Sequence, residues 1–148
     1  MYLLPKPKTI KEQDGQMLLC HSTHIVMTKE VAETEMHAAK RLQEAIRQET
    51  GLTLPFSVGE VREGDLSLGI AKTLPEQTYE ITIDEKGGQI SGGDGAGVLY
   101  GVETFCQIVQ QCGGILPCVQ IQDAPDMPNR GYYFDQTRGR VLLSLIHI

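Results

Sequence analysis

The chain has 148 residues, 13 Lys and Arg against 19 Asp and Glu, a net charge of −6, and 41% apolar and 22% charged residues. That length suits one domain with a buried core, and the balance is that of an ordinary soluble globular protein. An acidic chain without a Lys/Arg cluster excludes a nucleic-acid surface, whose phosphates demand one, and no apolar run approaches the roughly 20 residues that span a bilayer.

The first fifteen residues lack the apolar region of an export signal, so the expected location is cytoplasmic. "TIKEQDGQMLLC" sets Asp14-Gly15 between two extended runs, which predicts an opening β-hairpin. "THIVMT" reads as a buried strand. From Lys29 to Thr50, Val31, Glu35, Ala38, Ala39, Leu42, Ala45 and Ile46 recur at helical spacing, and Gly51 marks the helix end. "LTLPFSV", "DLSLGIA" and "QTYEITID" are three candidate strands. Lys86-Gly87-Gly88 turns the chain into "QISG", a second helix runs from about Ala96 to Gln111, and "ILPCVQIQD" is the last strand. The expected class is α/β (α+β), a small sheet covered by two helices over residues 1–122. "DAPDMPN", with two prolines and two aspartates, reads as a boundary, and residues 123–128 are assigned to a linker.

Each motif has a plain reading beside the functional one. "SGGDGAGVLYG" resembles a phosphate cradle at a helix start, but Val98 stands where a dinucleotide loop needs its third Gly or a P-loop its Lys, so a tight strand-to-helix turn is the better reading. Asp84-Glu85 could do acid–base work, yet it falls at a hairpin tip, where water keeps both groups ordinary. Cys20, Cys106, Cys112 and Cys118 fit neither a disulfide framework nor a zinc site, and buried reduced thiols are expected. His21 and His24 lie in a segment that reads as extended, which would point them to opposite faces. No metal or other cofactor is expected. In "RGYYFDQTRGR", Arg130 opens an aromatic run, Asp135 closes it and Arg138 follows. A guanidinium can fork to two neighbouring oxygens, but on spacing alone an Asp135–Arg138 ion pair that stabilises a strand end, with Arg130 simply exposed, is the better reading.

Two segments together resemble glycoside hydrolase family 20, the β-N-acetylhexosaminidases. Gly97, Gly101, Thr104 and Gln107 match the family's Gly-x-x-x-Gly-x-x-Thr-x-x-Gln helix. Asp123, Pro125, Arg130, Gly131, Asp135 and Arg138 match the opening of its catalytic (β/α)8 barrel. The resemblance implies a non-catalytic N-terminal domain, then the first strand of a truncated barrel at residues 129–140. It also implies a substrate-binding role for Arg130, on the distal hydroxyls of an N-acetylhexosamine, and a strand-holding role for Asp135 and Arg138. The catalytic Asp-Glu pair of the family has no counterpart here, so no catalytic residue is expected in this chain, and an N-acetylhexosamine-containing glycan is the partner of the full-length parent. Residues 141–148, "VLLSLIHI", lack the polar face of the helix the family expects, which reads as a foreign or frame-shifted tail or else a native ending docked on the sheet. The alternative function is a free-standing carbohydrate- or protein-binding domain. Another glycosidase family with a similar leading domain is a third.

Overall fold

A computed structural model of the chain describes residues 2–127 and 129–131. The strands are β1 (Thr9–Leu18), β2 (Ile25–Met27), β3 (Phe56–Val58), β4 (Leu66–Ile70), β5 (Tyr79–Asp84), β6 (Gly87–Gly92) and β7 (Ile115–Asp123), and the helices are α1 (Lys29–Thr34), α2 (Met36–Thr50) and α3 (Gly95–Cys112). Among the described residues, all seven strands join one sheet in the order β1-β7-β5-β6-β4-β2-β3. Pairing is antiparallel from β1 to β6 and parallel from β6 to β3. The α/β class with a sheet under two long helices is what forms, with the short α1 as an addition.

Side chains alternate along β5: Tyr79, Ile81 and Ile83 are buried while Glu80 and Asp84 are exposed. That two-residue period belongs to a sheet covered on one face. The register lines up two apolar rows across four strands, Val119-Ile83-Gly88-Leu66 and Ile121-Ile81-Ile90-Leu68. The helices close over these rows. α2 buries Ala38, Ala39, Leu42, Ala45 and Ile46, and ends at Gly51 in the left-handed conformation.

Two expected elements differ. The opening hairpin is instead the single strand β1, both ends of which pair with β7, with a register shift between Glu12 and Gln16. Gly15, at φ +109°, permits this bulge. A hairpin would need the two runs to pair with each other, and the edge of β7, a hundred residues further on, takes both of them. The long first helix is broken at Glu35, whose φ and ψ of −127° and 32° are not helical. Its side chain packs against Gly95, where a Cβ would sit 1.9 Å from Glu35 Oε1. The partial positive charge at the start of α3 favours a carboxylate there.

Candidate functional site

α3 reaches the sheet through small residues placed one turn apart. A Cβ on Gly97 would lie 2.3 Å from the Thr78 carbonyl oxygen, and one on Gly101 would lie 2.7 Å from Ile90 Cγ2. Further along, the Phe105 ring covers Gly88, where a Cβ would meet Phe105 Cε2 at 3.5 Å. Helix positions 97, 101 and 105 therefore stand over β6 positions 92, 90 and 88: glycine on glycine, glycine on isoleucine, phenylalanine on glycine. Four helix residues rise about 6 Å and two strand residues about 6.7 Å, so the two elements stay in step while running in opposite directions.

The remaining motif residues are polar and each has a partner. Thr104 Oγ1 and the Tyr79 hydroxyl are 2.7 Å apart, and Tyr79 also reaches Asp123 Oδ2 at 3.5 Å. Burial, with a smaller contribution from the Asp123 charge, pushes the Tyr79 hydroxyl up to about 12, against the opposing effect of the Thr104 bond. Gln107 grips the main chain of Leu4, with Leu4 N–H donating to Oε1 at 2.8 Å and Nε2 donating to the Leu4 carbonyl at 2.7 Å. The helix motif is thus a set of contacts that joins α3 to the sheet, to the N-terminal segment and, through Tyr79, to the end of β7.

These contacts surround a cavity of about 450 Å³ between the N-terminal segment, α3 and the chain leaving β7. Arg130 stands on its rim. Its Nη1 donates to the Met127 carbonyl at 2.6 Å, and its Nη2 donates to the Tyr100 hydroxyl at 2.6 Å and to Gln77 Oε1 at 3.3 Å. The guanidinium carbon lies 5.2 Å from the centre of the Tyr100 ring, a cation–π distance. Asp135 and Arg138, the rest of the expected barrel strand and the tail 141–148 lie outside the described residues.

The other candidates resolve locally. At the start of α3, Asp94 Oδ1 accepts from Gly97 N–H at 2.8 Å and Gln77 N–H at 3.0 Å, so a carboxylate fills the place of a bound anion. Asp84 and Glu85 stand at the β5–β6 hairpin tip, where Asp84 Oδ1 accepts from Lys86 N–H at 2.8 Å. His21 lies in a turn rather than a strand, in which Thr23 N–H donates to the Cys20 carbonyl. Among the described residues no cluster of His, Cys, Asp or Glu could hold a metal ion. All four cysteines are free, but only Cys106 and Cys118 are buried; Cys112 is half-buried and Cys20 is exposed. The residues around Cys20 turn back before β2, so its side chain never enters the core.

Sequence reasoning passed over Tyr79, Tyr100 and Gln111. Tyr79 is the first residue of a strand and Tyr100 a partly buried helix residue, and nothing in their spacing marks a polar contact. Gln111 lies one turn beyond Gln107, and that repeat was the one available signal.

Residues 1–124 match the model of glycosyl hydrolase family 20, domain 2. The β-hexosaminidase of Porphyromonas gingivalis is 28% identical over 148 residues, covering 92% of this chain and 19% of the relative. That of Vibrio furnissii is 29% identical over 138 residues, covering 92% and 21%. A solved family 20 β-N-acetylglucosaminidase superposes with a TM-score of 0.69 at 30% identity, covering 93% of this chain and 25% of its own. The chain therefore spans about a fifth of the length of the curated relatives it matches. With the family model matched over residues 1–124, the chain belongs to glycosyl hydrolase family 20, of which it carries domain 2.

Proposed function

We propose that the chain is part of a β-N-acetylhexosaminidase that releases terminal N-acetylhexosamine from glycans, and that the chain by itself has no hydrolase activity. The observation that carries this reading is the family match to residue 124, followed at once by the Arg-Gly of the barrel-opening pattern at Arg130 and Gly131. Arg130 would form one wall of the sugar site. Its planar fork suits a vicinal pair of hydroxyls, for which it would exchange its present partners on Met127, Gln77 and Tyr100. Asp135 and Arg138 would hold the strand end.

In the chemistry implied by the family, the acetamido oxygen of the sugar attacks the anomeric carbon as the glycosidic bond breaks. A Glu gives its proton to the leaving oxygen, and water, deprotonated by the same Glu, then opens the cyclic intermediate. An Asp orients the amide throughout. A barrel enzyme assembles such groups from several strand ends, so both carboxylates would come from chain beyond residue 148. The test is hydrolysis of a chromogenic N-acetyl-β-glucosaminide by this chain and by a protein expressed through the downstream coding region. Turnover by the longer protein and none by this chain is expected. Turnover by this chain, or none by the longer one, contradicts the reading.

A further inference from the structure

Residues 2–8 precede the first strand, yet they are fastened on both sides. On one side stand Gln107 and Gln111, four residues apart on α3. Tyr2 N–H donates to Gln111 Oε1 at 2.7 Å, and Gln111 Nε2 donates back to the Tyr2 carbonyl. Gln107 does the same with the N–H and carbonyl of Leu4. Each side-chain amide offers the acceptor and donor that a neighbouring strand offers in a hydrogen-bonded β pair. The spacing fits because the four helix residues from Gln107 to Gln111 rise about 6 Å, nearly the length of two extended residues at about 6.7 Å.

All four bonds go to main chain. Tyr2 and Leu4 are 71% and 61% exposed, while Leu3 between them is 5% exposed. The seat on α3 therefore reads an extended backbone carrying one inward apolar side chain. On the other side of the segment, Lys8 N–H donates to Asp123 Oδ1 at 3.1 Å, and Lys8 Nζ pairs with Asp126 Oδ1 at 2.9 Å. The Lys8–Asp126 pair is too exposed, at 51% and 89%, to hold two chain segments together by itself.

We propose that Gln107 and Gln111 form a backbone-reading peptide site on α3, that its occupant is the chain's own residues 2–5, and that seating this segment fixes the course of residues 123–127. Buried Leu3 and the four amide bonds give the segment a fixed position, and Lys8 passes that position to Asp123 and Asp126 as the chain leaves the sheet. The segment and the departing chain wall the same cavity, so releasing one opens the other. This site is independent of the hydrolase reading and stands without it.

The test is amide hydrogen exchange on the full chain carrying Gln107→Glu, a near-isosteric change, compared with wild type at each pH. At neutral pH the carboxylate only accepts, so the Leu4 carbonyl loses its donor and faces a negative charge. Once protonated, the acid again has one donor and one acceptor, and the pair with Leu4 re-forms. The charged groups lining the cavity, Lys6, Lys8, Glu103, Asp123, Asp126 and Arg130, are common to both proteins. The two curves therefore differ only through the new carboxyl and the groups it faces, of which Glu103, four residues before it on α3, is the like charge that favours its protonated form. The expected result at pH 7 is exchange about 10-fold faster or more at the amides of Tyr2 and Leu4 and at that of Lys8, whose N–H is bonded to Asp123 Oδ1, with β5 and β6 unchanged, and convergence with wild type near pH 4. Gln107→Leu should give the same release at both pH values. Opening at Tyr2 and Leu4 with the Lys8 amide still protected on Asp123 overturns the proposal, as does no change in either. An equal loss across β5 and β6 also overturns it, because residues 2–8 would then be an ordinary part of the core.

Discussion

α2 meets its neighbours through Ala38, Ala39, Leu42, Ala45 and Ile46, a stripe that other apolar residues of similar size could fill. α3 lies beside it on the same sheet but touches β6 through Gly97 and Gly101, where any side chain collides. It also uses Thr104, Gln107 and Gln111 for named hydrogen bonds. One helix is specified by its pattern, the other position by position. The residues that carry the resemblance, Gly97, Gly101, Thr104 and Gln107, all lie on α3, the helix that ties the sheet, the N-terminal segment and the exit of the chain into one unit.

Several changes would break or sharpen the contrast. As core fillers the two helices should be alike: Phe105→Ala on α3 is expected to cost about 3–5 kcal/mol and Leu42→Ala on α2 about 2–5 kcal/mol in denaturant unfolding, since both side chains are fully buried. A large disparity would remove the common core. In tolerance of small residues they should be opposite. At exposed Lys40 on α2, Ala should be more stable than Gly by about 1 kcal/mol, as helix propensity dictates. At position 97 the order should reverse, with Gly97→Ala destabilising by about 1–3 kcal/mol because the methyl meets the Thr78 carbonyl.

The third contrast is in alkali. Tyr79, under α3, has its hydroxyl pushed up to about 12 by burial, above the tyrosine value of about 10 expected in the unfolded chain. Folding thus favours the protonated form, so its contribution is complete below about pH 10 and is lost as pH rises through about 12. Relative to pH 9, wild type should lose about 1–2 kcal/mol more by pH 12 than Tyr79→Phe does, allowing for partial solvent screening. Parallel curves would mean that the hydroxyl is not buried as described.

Much of the fold was legible because it rests on periodicity. The stripe of α2 and its Gly51 stop, the alternation of β5 and the glycine turn into α3 are local signals that the tertiary structure reinforces. The opening hairpin was misread because Asp14-Gly15 suits a turn and a bulge equally, and the choice is made by β7, a partner remote in sequence. The break at Glu35 was hidden for a related reason: the periodic stripe continues across it, while the carboxylate that fixes the break answers to the N-terminus of α3. The site was legible only where it carried the family pattern. Gln107 belonged to that pattern, but its role depends on residues 2–5 lying beside it, and no spacing within the helix encodes that.

The central claim, that this domain leads into a sugar site beginning at Arg130, is tested most directly by kcat/KM on an N-acetyl-β-glucosaminide for the longer protein and its Arg130→Ala variant. A fall of about 100-fold or more, with stability unchanged, is expected if the guanidinium binds two sugar hydroxyls in the transition state. An unaltered kcat/KM would place Arg130 with Tyr100 and Gln77 as part of the domain surface and contradict the claim.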